Sequence, residues 1–325
     1  MKLHGTIDLF VSGERILRRP NLWDKLKRSL GAGADLDTRQ LRSALEATAV
    51  VDAANTALRK LGITNAISLV IDDHVIFQDK EGRPDDLGDL FVAFHDSASV
   101  FGAGFDLLRL AAEHEEAGLH TVVEVVARTE YPVGEPAGRI VISGRIKDLE
   151  PRKGEDADAY RARVEPLTRD PLLLEAHRRQ FESFVARVCE AIRSSMPEAR
   201  TEIRSAEARV EKPSKRPRRA PAPAPTDPRY DPYAHHYPHP LDGMLTMMMW
   251  GSLFSMSMTP DVVVVNEHGD SLGHASDGAG GFDDSGEPGG DVGDVGDGGD
   301  PGGGDGGGDG GWDGGDFDGG DFGDF

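Results

Sequence analysis

Candidate catalytic side chains are scattered through the N-terminal part of the chain. Aspartate and histidine often act as general acids and bases, and four such residues stand out: Asp72, His74, His95 and His120. The chain contains no G-x-S-x-G, Walker or C-x-x-C motif. An enzyme built on this chain would therefore assemble its site from dispersed residues, and we keep this as the alternative to a non-catalytic function.

Two histidine-rich stretches invite comparison with metal sites. His114 and His120 are six residues apart around Gly118, whereas two ligands on one helical face need a spacing of three or four. Three other histidines precede a methionine-rich segment, and imidazole with thioether suits copper(I): His235, His236 and His239. Methionine runs are more often adaptable apolar filler. The sequence therefore predicts neither a metal nor a cofactor.

Aromatic residues recur about every five positions at the C-terminus and mark a candidate partner-binding tip: Trp312, Phe317, Phe322 and Phe325. They lie in a segment, 277–325, that contains 23 Gly, 14 Asp and one Glu but no Lys or Arg. A chain of this composition buries too little apolar surface to fold. We expect a disordered acidic tail that binds a partner protein through its aromatic residues.

A methionine-rich segment is the second candidate for partner binding. Residues 244–258 carry no charge, and Met248, Trp250 and Phe254 are its candidate contacts. As a helix the segment would cover only about 22 Å, whereas a membrane crossing needs about 30 Å. It is therefore expected to dock on the body of the protein, on a partner or on a membrane surface, and the sequence does not choose among these three. A peripheral membrane protein anchored through 244–258 is a further alternative.

A basic cluster precedes the methionine-rich segment, and a proline-rich stretch follows the cluster. Its members, called the basic node, are Lys212, Lys215, Arg216, Arg218 and Arg219. The acidic tail has the opposite charge and can reach the node across a flexible chain. The tail is expected either to shield the node from polyanions or to serve solubility alone.

Composition excludes two classes of protein. The chain has 325 residues and a net charge of −21, so the domain is not expected to be a basic nucleic-acid binder. The single cysteine, Cys189, excludes a disulfide-stapled scaffold and is expected to be a buried apolar residue. No apolar signal segment opens the chain. We therefore expect a cytoplasmic location.

Apolar periodicity predicts the elements that must position these residues. Alternation predicts strands over 3–11 and 140–147, and a run of β-branched residues predicts another over 121–128. The apolar runs around Asp72 predict a hairpin. Helices are predicted after Asn21, after Asp37, over 99–117 and after the pair Asp170-Pro171. This order indicates an α+β fold, with helices packed on a mostly antiparallel sheet.

The sequence thus predicts four consecutive segments. They are an α+β domain (1–205), a basic, proline-rich linker (206–240), a methionine-rich docking segment (241–265) and an acidic, disordered tail (266–325). The predicted function is that of a non-catalytic binding or scaffold protein. Its expected partner is another protein, reached through the tail or the methionine-rich segment.

Overall fold

A computed structural model describes residues 2–11, 38–79, 104–150, 152, 155–212, 223–227, 230–237, 262–266 and 271–274. The chain divides into two compact units, Met1–Phe282 and Asp283–Phe325, and every described residue belongs to the first. The helix expected after Asn21 lies outside the described residues, as do residues 244–258 and the aromatic tail.

The described elements are nine strands and four α-helices. The strands are β1 (Lys2–Phe10), β2 (Asn65–Ile71), β3 (His74–Gln78), β4 (Leu107–Glu116), β5 (Leu119–Arg128), β6 (Gly138–Ile146), β7 (Arg200–Lys212), β8 (Val262–Asn266) and β9 (Ser271–His274). The helices are α1 (Thr38–Lys60), α2 (Ala157–Thr168), α3 (Pro171–Ser195) and α4 (Pro232–His236), and a 3₁₀ turn covers Lys147–Leu149.

All nine strands form one sheet, which makes the fold α+β. The strand order is β3-β2-β4-β5-β6-β1-β7-β8-β9. Every neighbouring pair is antiparallel except β7 and β8, which are parallel. Helices α1 and α3 pack against each other and against the sheet. The predicted fold class, with helices on a mostly antiparallel sheet, is confirmed.

Helix α3 covers the centre of the sheet because its apolar stripe meets two glycines there. Asp170 caps the helix by accepting hydrogen bonds from the backbone amides of Leu172 and Leu173. The Phe181 ring is fully buried and lies over Gly5 of β1 and Gly144 of β6. These glycines let the helix approach the strands closely, since a side chain at either position would meet the ring or its neighbours.

Residues 107–116 form strand β4 and not part of the predicted 99–117 helix, so that prediction is wrong. The leucine, alanine and glutamate content favours a helix, but β4 pairs along its length with β2 and β5. Ala117 and Gly118 both have positive φ, 51° and 79°, as a two-residue hairpin turn requires. Gly118 therefore closes a β-hairpin, and tertiary pairing outweighs the local helix propensity.

Strand β7 runs across the predicted domain boundary at residue 205. It pairs with β1 from Arg200 to Arg209 and with β8 from Ala208 to Lys212. The valine run at the end of the expected docking segment forms β8, and β9 lies within the segment expected to be disordered. The folded unit thus includes chain from the expected linker and from the first part of the expected tail.

The hairpin predicted around Asp72 is confirmed by the pairing of β2 with β3. Cys189 is confirmed as a buried residue, and its Sγ lies 3.5 Å from the Thr201 hydroxyl oxygen. Residues 38–60 and 171–195 are helical as expected. Gly62, with φ of 82°, follows α1 in the left-handed conformation that favours glycine after a helix.

Candidate functional site

The two faces of the sheet differ in chemistry. One face packs on α1 and α3 and is apolar. The other, which we call the polar face, carries charged and polar side chains from five strands: Lys2, His4, Asp8, Arg109, Glu113, His120, Glu124, Arg139, Arg145, Arg204 and Arg209. Several of these side chains are buried. Charged groups are rarely buried without partners, so the polar face needs a cover that satisfies them.

Residues 230–237, here called the strap, provide that cover. Three strap tyrosines at spacing i, i+3 and i+7 each donate a hydrogen bond to a different glutamate. Tyr230 reaches Glu124 at 2.8 Å, Tyr233 reaches Glu150, and Tyr237 reaches Glu113. Only Tyr233 lies within the short helix α4, whereas Tyr230 precedes its N-cap and Tyr237 follows its last residue. The strap therefore binds the folded body through paired hydroxyls and carboxylates.

Glu124 is the most deeply buried acid of the polar face. It is 1% exposed, and its carboxylate lies 3.2 Å from the Arg109 guanidinium. His236 Nε2 lies 3.4 Å from its other oxygen, which also accepts the Tyr230 hydroxyl. Burial opposes the charge, but His236, the Arg109 charge and the Tyr230 hydroxyl together lower the pKa of Glu124. Glu124 is thus a buried, fully engaged carboxylate.

His120 links two of the strap tyrosines to the sheet. Its Nε2 lies 3.1 Å from Glu113, and its Nδ1 lies 2.8 Å from the Tyr233 hydroxyl. Because Tyr233 donates its proton to Glu150, the hydroxyl oxygen is left to accept from Nδ1. Both ring nitrogens of His120 thus lie within hydrogen-bond distance of an oxygen atom. A hydrogen bond from His120 is the main cause of the lowered pKa of Glu113.

Asp231 fixes the start of the strap. Its carboxylate caps α4 by accepting from the Tyr233 and Ala234 amides, and it pairs with Arg145 at 2.7 Å and with Lys2 at 3.6 Å. Burial opposes the charge, and the two cations lower the pKa of Asp231 well below its usual range. The Arg145 guanidinium also stacks on the Tyr233 ring, 4.5 Å from its centroid. One arginine thus holds both the cap and the central tyrosine.

The structure does not bring the sequence-predicted catalytic residues together. Asp72 lies in the β2–β3 turn, where its carboxylate accepts from the amides of Asp106 and Leu107, and His74 is exposed beside it. His120 lies opposite Glu115, at the other end of β4. Eight residues of strand separate these ends, which is about 27 Å. His95 lies outside the described residues.

The two histidines of the 114–120 stretch face opposite sides of the sheet. His114 stacks on Phe184 of α3, with ring centroids 5.8 Å apart, whereas His120 faces the strap. A cavity of about 320 Å³ lies beside His114, between the β4–β5 hairpin and α3. Among the described residues, no group of three or more His, Cys, Asp or Glu is placed to hold a metal ion.

Most predicted partner-binding residues lie outside the described part of the chain. This applies to Met248, Trp250, Phe254, Trp312, Phe317, Phe322 and Phe325, and to Lys215, Arg216, Arg218 and Arg219 of the basic node. The backbone of Lys212 is described and ends β7. These site assignments stay predictions.

Sequence reasoning missed the strap, although two signals for it were present. The pair Asp231-Pro232 has the same N-cap and N1 chemistry that located α3 through Asp170-Pro171. The i, i+3, i+7 spacing of the tyrosines indicates one helical face. The proline-rich composition around them concealed both signals, and only His235 and His236 had been considered there, as copper ligands.

Comparison with protein-family models, curated proteins and solved structures found no match to this chain. No helix among the described residues has the length and hydropathy that a membrane crossing requires. The function must therefore be inferred from the polar face, the strap and the chain attached to them.

Acidification is expected to destabilise the folded unit before its carboxylates titrate. Burial is the main cause that lowers the pKa of His4 from 6.5 to about 4, and the charge of Arg209 is the second. Arg145 and Arg139 also lower this pKa, whereas the Asp231 carboxylate raises it. Between these two values His4 is protonated in the unfolded chain but not in the folded chain, so the free energy of unfolding falls as the pH drops from about 6.5 to 4. We expect a loss of about 2–3 kcal/mol, measured by urea unfolding at each pH.

The control for this prediction is a pair of histidine substitutions. His4→Gln removes the buried imidazole and should reduce the dependence between pH 6.5 and 4 to the part that His235 contributes, since burial lowers the pKa of His235 as well. His74→Gln changes an exposed ring and should leave the dependence in place. Equal slopes for the unaltered chain and the His4→Gln variant would show that another group controls this range. Below about pH 4, titration of Glu113 and Glu124, whose pKa values are lowered, adds a further loss.

Proposed function

We propose that the protein is a non-catalytic binding or scaffold protein that presents a C-terminal arm from a rigid α+β body. The observation that carries this proposal is the position of the strap and β8. The strap ends over β4 and β5, and the chain returns at Val262 beside Ala208 of β7. The intervening residues, 238–261, carry Met248, Trp250 and Phe254, so both ends of this apolar segment are held on the folded body.

The spacing of the two attachment points supports presentation of this segment. Four to five strand intervals separate β4 and β5 from β8 in the sheet order, which is roughly 20–25 Å at about 4.8 Å per interval. A chain of about 24 residues reaches roughly 80 Å when extended. The segment is therefore several times longer than the distance it must bridge, and its apolar residues can extend to a partner.

The engagement of the polar face favours binding over catalysis. Glu113, Glu124 and His120 are hydrogen-bonded to strap tyrosines. A general acid or base needs access to a substrate, and these three groups are covered by the chain itself. We propose that the partner is a protein in the cytoplasm, bound through the methionine-rich segment and the aromatic tail.

Affinity capture with three full-length forms tests this proposal. The unaltered chain is compared with one variant in which Met248, Trp250 and Phe254 are changed to Ser, and with another in which Trp312, Phe317, Phe322 and Phe325 are changed to Ala. We expect a protein bound to the unaltered chain to be lost, by at least tenfold, with one or both variants. The matched control changes Val292 and Val295 of the tail to Ala and should retain the partner.

Other outcomes would contradict the proposal. Equal capture by all four forms would exclude the predicted contacts. Flotation with liposomes of neutral and anionic lipid that depends on Met248, Trp250 and Phe254 would support the peripheral membrane alternative instead. A truncation after Phe282 removes the four aromatic residues of the tail and keeps the first compact unit. A truncation at 210 is unsuitable because it would cut β7 and remove the strap.

A further inference from the structure

We propose that the polar face is a recognition site for a tyrosine-bearing helical turn of a partner protein, and that the strap occupies this site in the present chain. This inference goes beyond the proposed function, which concerns the chain after the strap. It assigns a binding surface to the folded body itself, and it defines the partner by an acidic cap followed by tyrosines with the spacing of Tyr233 and Tyr237.

The strap is held by directional contacts more than by apolar burial. Its apolar contacts form a small cluster separate from the main core, in which Tyr233 and Tyr237 pack on Ile67, Ala111 and Val122. Its polar contacts are more numerous, and they include the three hydroxyl–glutamate bonds, the pairing of Asp231 with Arg145 and the contact between His120 and Tyr233. Paired charges and hydrogen bonds give specificity more than affinity. Such a face selects a ligand by the position of its hydroxyls and its carboxylate.

The strap leaves polar atoms of the face unsatisfied. Within the described residues, four buried side-chain atoms have no hydrogen-bond partner: Asn65 Oδ1, Arg109 Nε and Ser143 Oγ of the sheet, and His236 Nε2 of the strap. Arg109 lies 3.5 Å from the Tyr230 hydroxyl, and Asn65 donates to Glu113, the acceptor of the Tyr237 hydroxyl, at 2.5 Å. A buried polar atom without a hydrogen bond loses the hydration that it has in water and gains nothing in return. A segment that also supplied a donor to Asn65 and an acceptor to Arg109 would fit this face better than the strap.

The strap is also suited to release. Helix α4 has only five residues, and isolated helices shorter than about 12 residues are marginal in water. Its conformation therefore depends on the face that it covers. Because it belongs to the same chain, the strap competes at an effective concentration on the order of a millimolar. A partner segment must bind more tightly than the strap or meet a chain whose strap has been weakened.

The test uses a synthetic peptide of residues 226–238 as a labelled probe and the full-length chain as receptor. In the receptor, Tyr230, Tyr233 and Tyr237 are changed to Ala, which vacates the face while every sheet residue remains. Fluorescence anisotropy should show that the peptide binds this receptor at least tenfold more tightly than the unaltered chain. The matched control peptide, with the three tyrosines changed to Phe, keeps the rings and should bind at least tenfold more weakly.

Three results would overturn the inference. Absence of peptide binding to a receptor that circular dichroism shows to be folded would make the strap a structural element only. Equal affinity of the Tyr and Phe peptides would exclude recognition by hydroxyls. Strap-dependent dimers of the unaltered chain in sedimentation would assign the face to a second copy of this chain. If the triple variant unfolds, the Tyr237→Ala variant, which retains two anchors, serves as receptor for the same comparison.

Discussion

Arg109→Met is expected to lower the free energy of unfolding by about 3–5 kcal/mol, although it replaces a charged side chain by an apolar one of similar length. Arg109 is 8% exposed, and its guanidinium lies 3.2 Å from the Glu124 carboxylate. Within the described residues, no other arginine or lysine forms a salt bridge with Glu124. Removing Arg109 leaves a buried carboxylate without its main counter-charge. Chemical denaturation at pH 7 measures the loss.

Two further variants separate the charge effect from the loss of side-chain packing. Arg128→Met removes an arginine whose partner, Glu135, is half exposed, and it should cost less than about 1 kcal/mol. The double variant Arg109→Met, Glu124→Met removes both charges and should recover much of the stability, because no unpaired ion is left. A loss below 1 kcal/mol for Arg109→Met alone would mean that Glu124 is not held by charge pairing.

The polar face shows why burial of charge can serve recognition. Removing one partner of a buried ion pair strongly destabilises a protein, but replacing both partners by apolar residues of similar size often leaves its stability unchanged. The network of Glu113, Glu124 and His120 therefore adds little net stability over an apolar alternative. It does require tyrosine hydroxyls at defined positions. This requirement is the physical basis for treating the face as a binding surface.

The sequence predicts elements well where only one face of an element is buried. Helix α3 carries a clear stripe opposite charged residues, and the Asp170-Pro171 pair locates its start. In β6, Ile140 and Ile142 alternate with Arg139 and Arg145, and this alternation correctly predicts a strand. Such alternation is typical of a strand with one face in solvent, but the strap partly covers the second face of β6, and Arg145 contacts Asp231 there.

Strand β4 shows the limit of local reasoning. Leu108 and Leu110 face the helices, while Arg109 and Ala111 face the strap side, so successive residues are buried on both faces. A strand covered on both sides loses its alternation and cannot be distinguished from a helix by period alone. The cover comes from residues more than a hundred positions later in the chain. No local pattern around residue 109 contains that information.

The candidate site was predicted only in part for the same reason. His120 is a candidate from the sequence, whereas Glu113, Glu124 and Arg109 are not among the sequence-predicted site residues. A charge within a strand is usually solvated, and here the strap removes the solvent. Strand β7 was not predicted, because Ala206 and Ala208 give a weak apolar signal among charged neighbours.

Phe181→Ala is the second substitution with a large expected effect, a loss of about 3–5 kcal/mol in the free energy of unfolding. The ring is 0% exposed and fills the space that Gly5 and Gly144 leave between α3 and the sheet. Alanine would open a cavity there, because the backbone of two paired strands cannot collapse into the gap. Leu172→Ala on the same helix, at a side chain 80% exposed, is the control and should change stability by less than about 0.5 kcal/mol.

The glycines give an independent test of the same contact. A Cβ at Gly5 would lie 2.8 Å from Val185 Cγ2 and 3.5 Å from the Phe181 ring, so Gly5→Ala alone should cost about 1–3 kcal/mol. In a chain that already carries Phe181→Ala, the space released by the ring lets α3 adjust, and Gly5→Ala should cost less. Additive losses in the double variant would show that Gly5 and Phe181 do not share one packing site, since residues in direct contact couple in a double-mutant cycle.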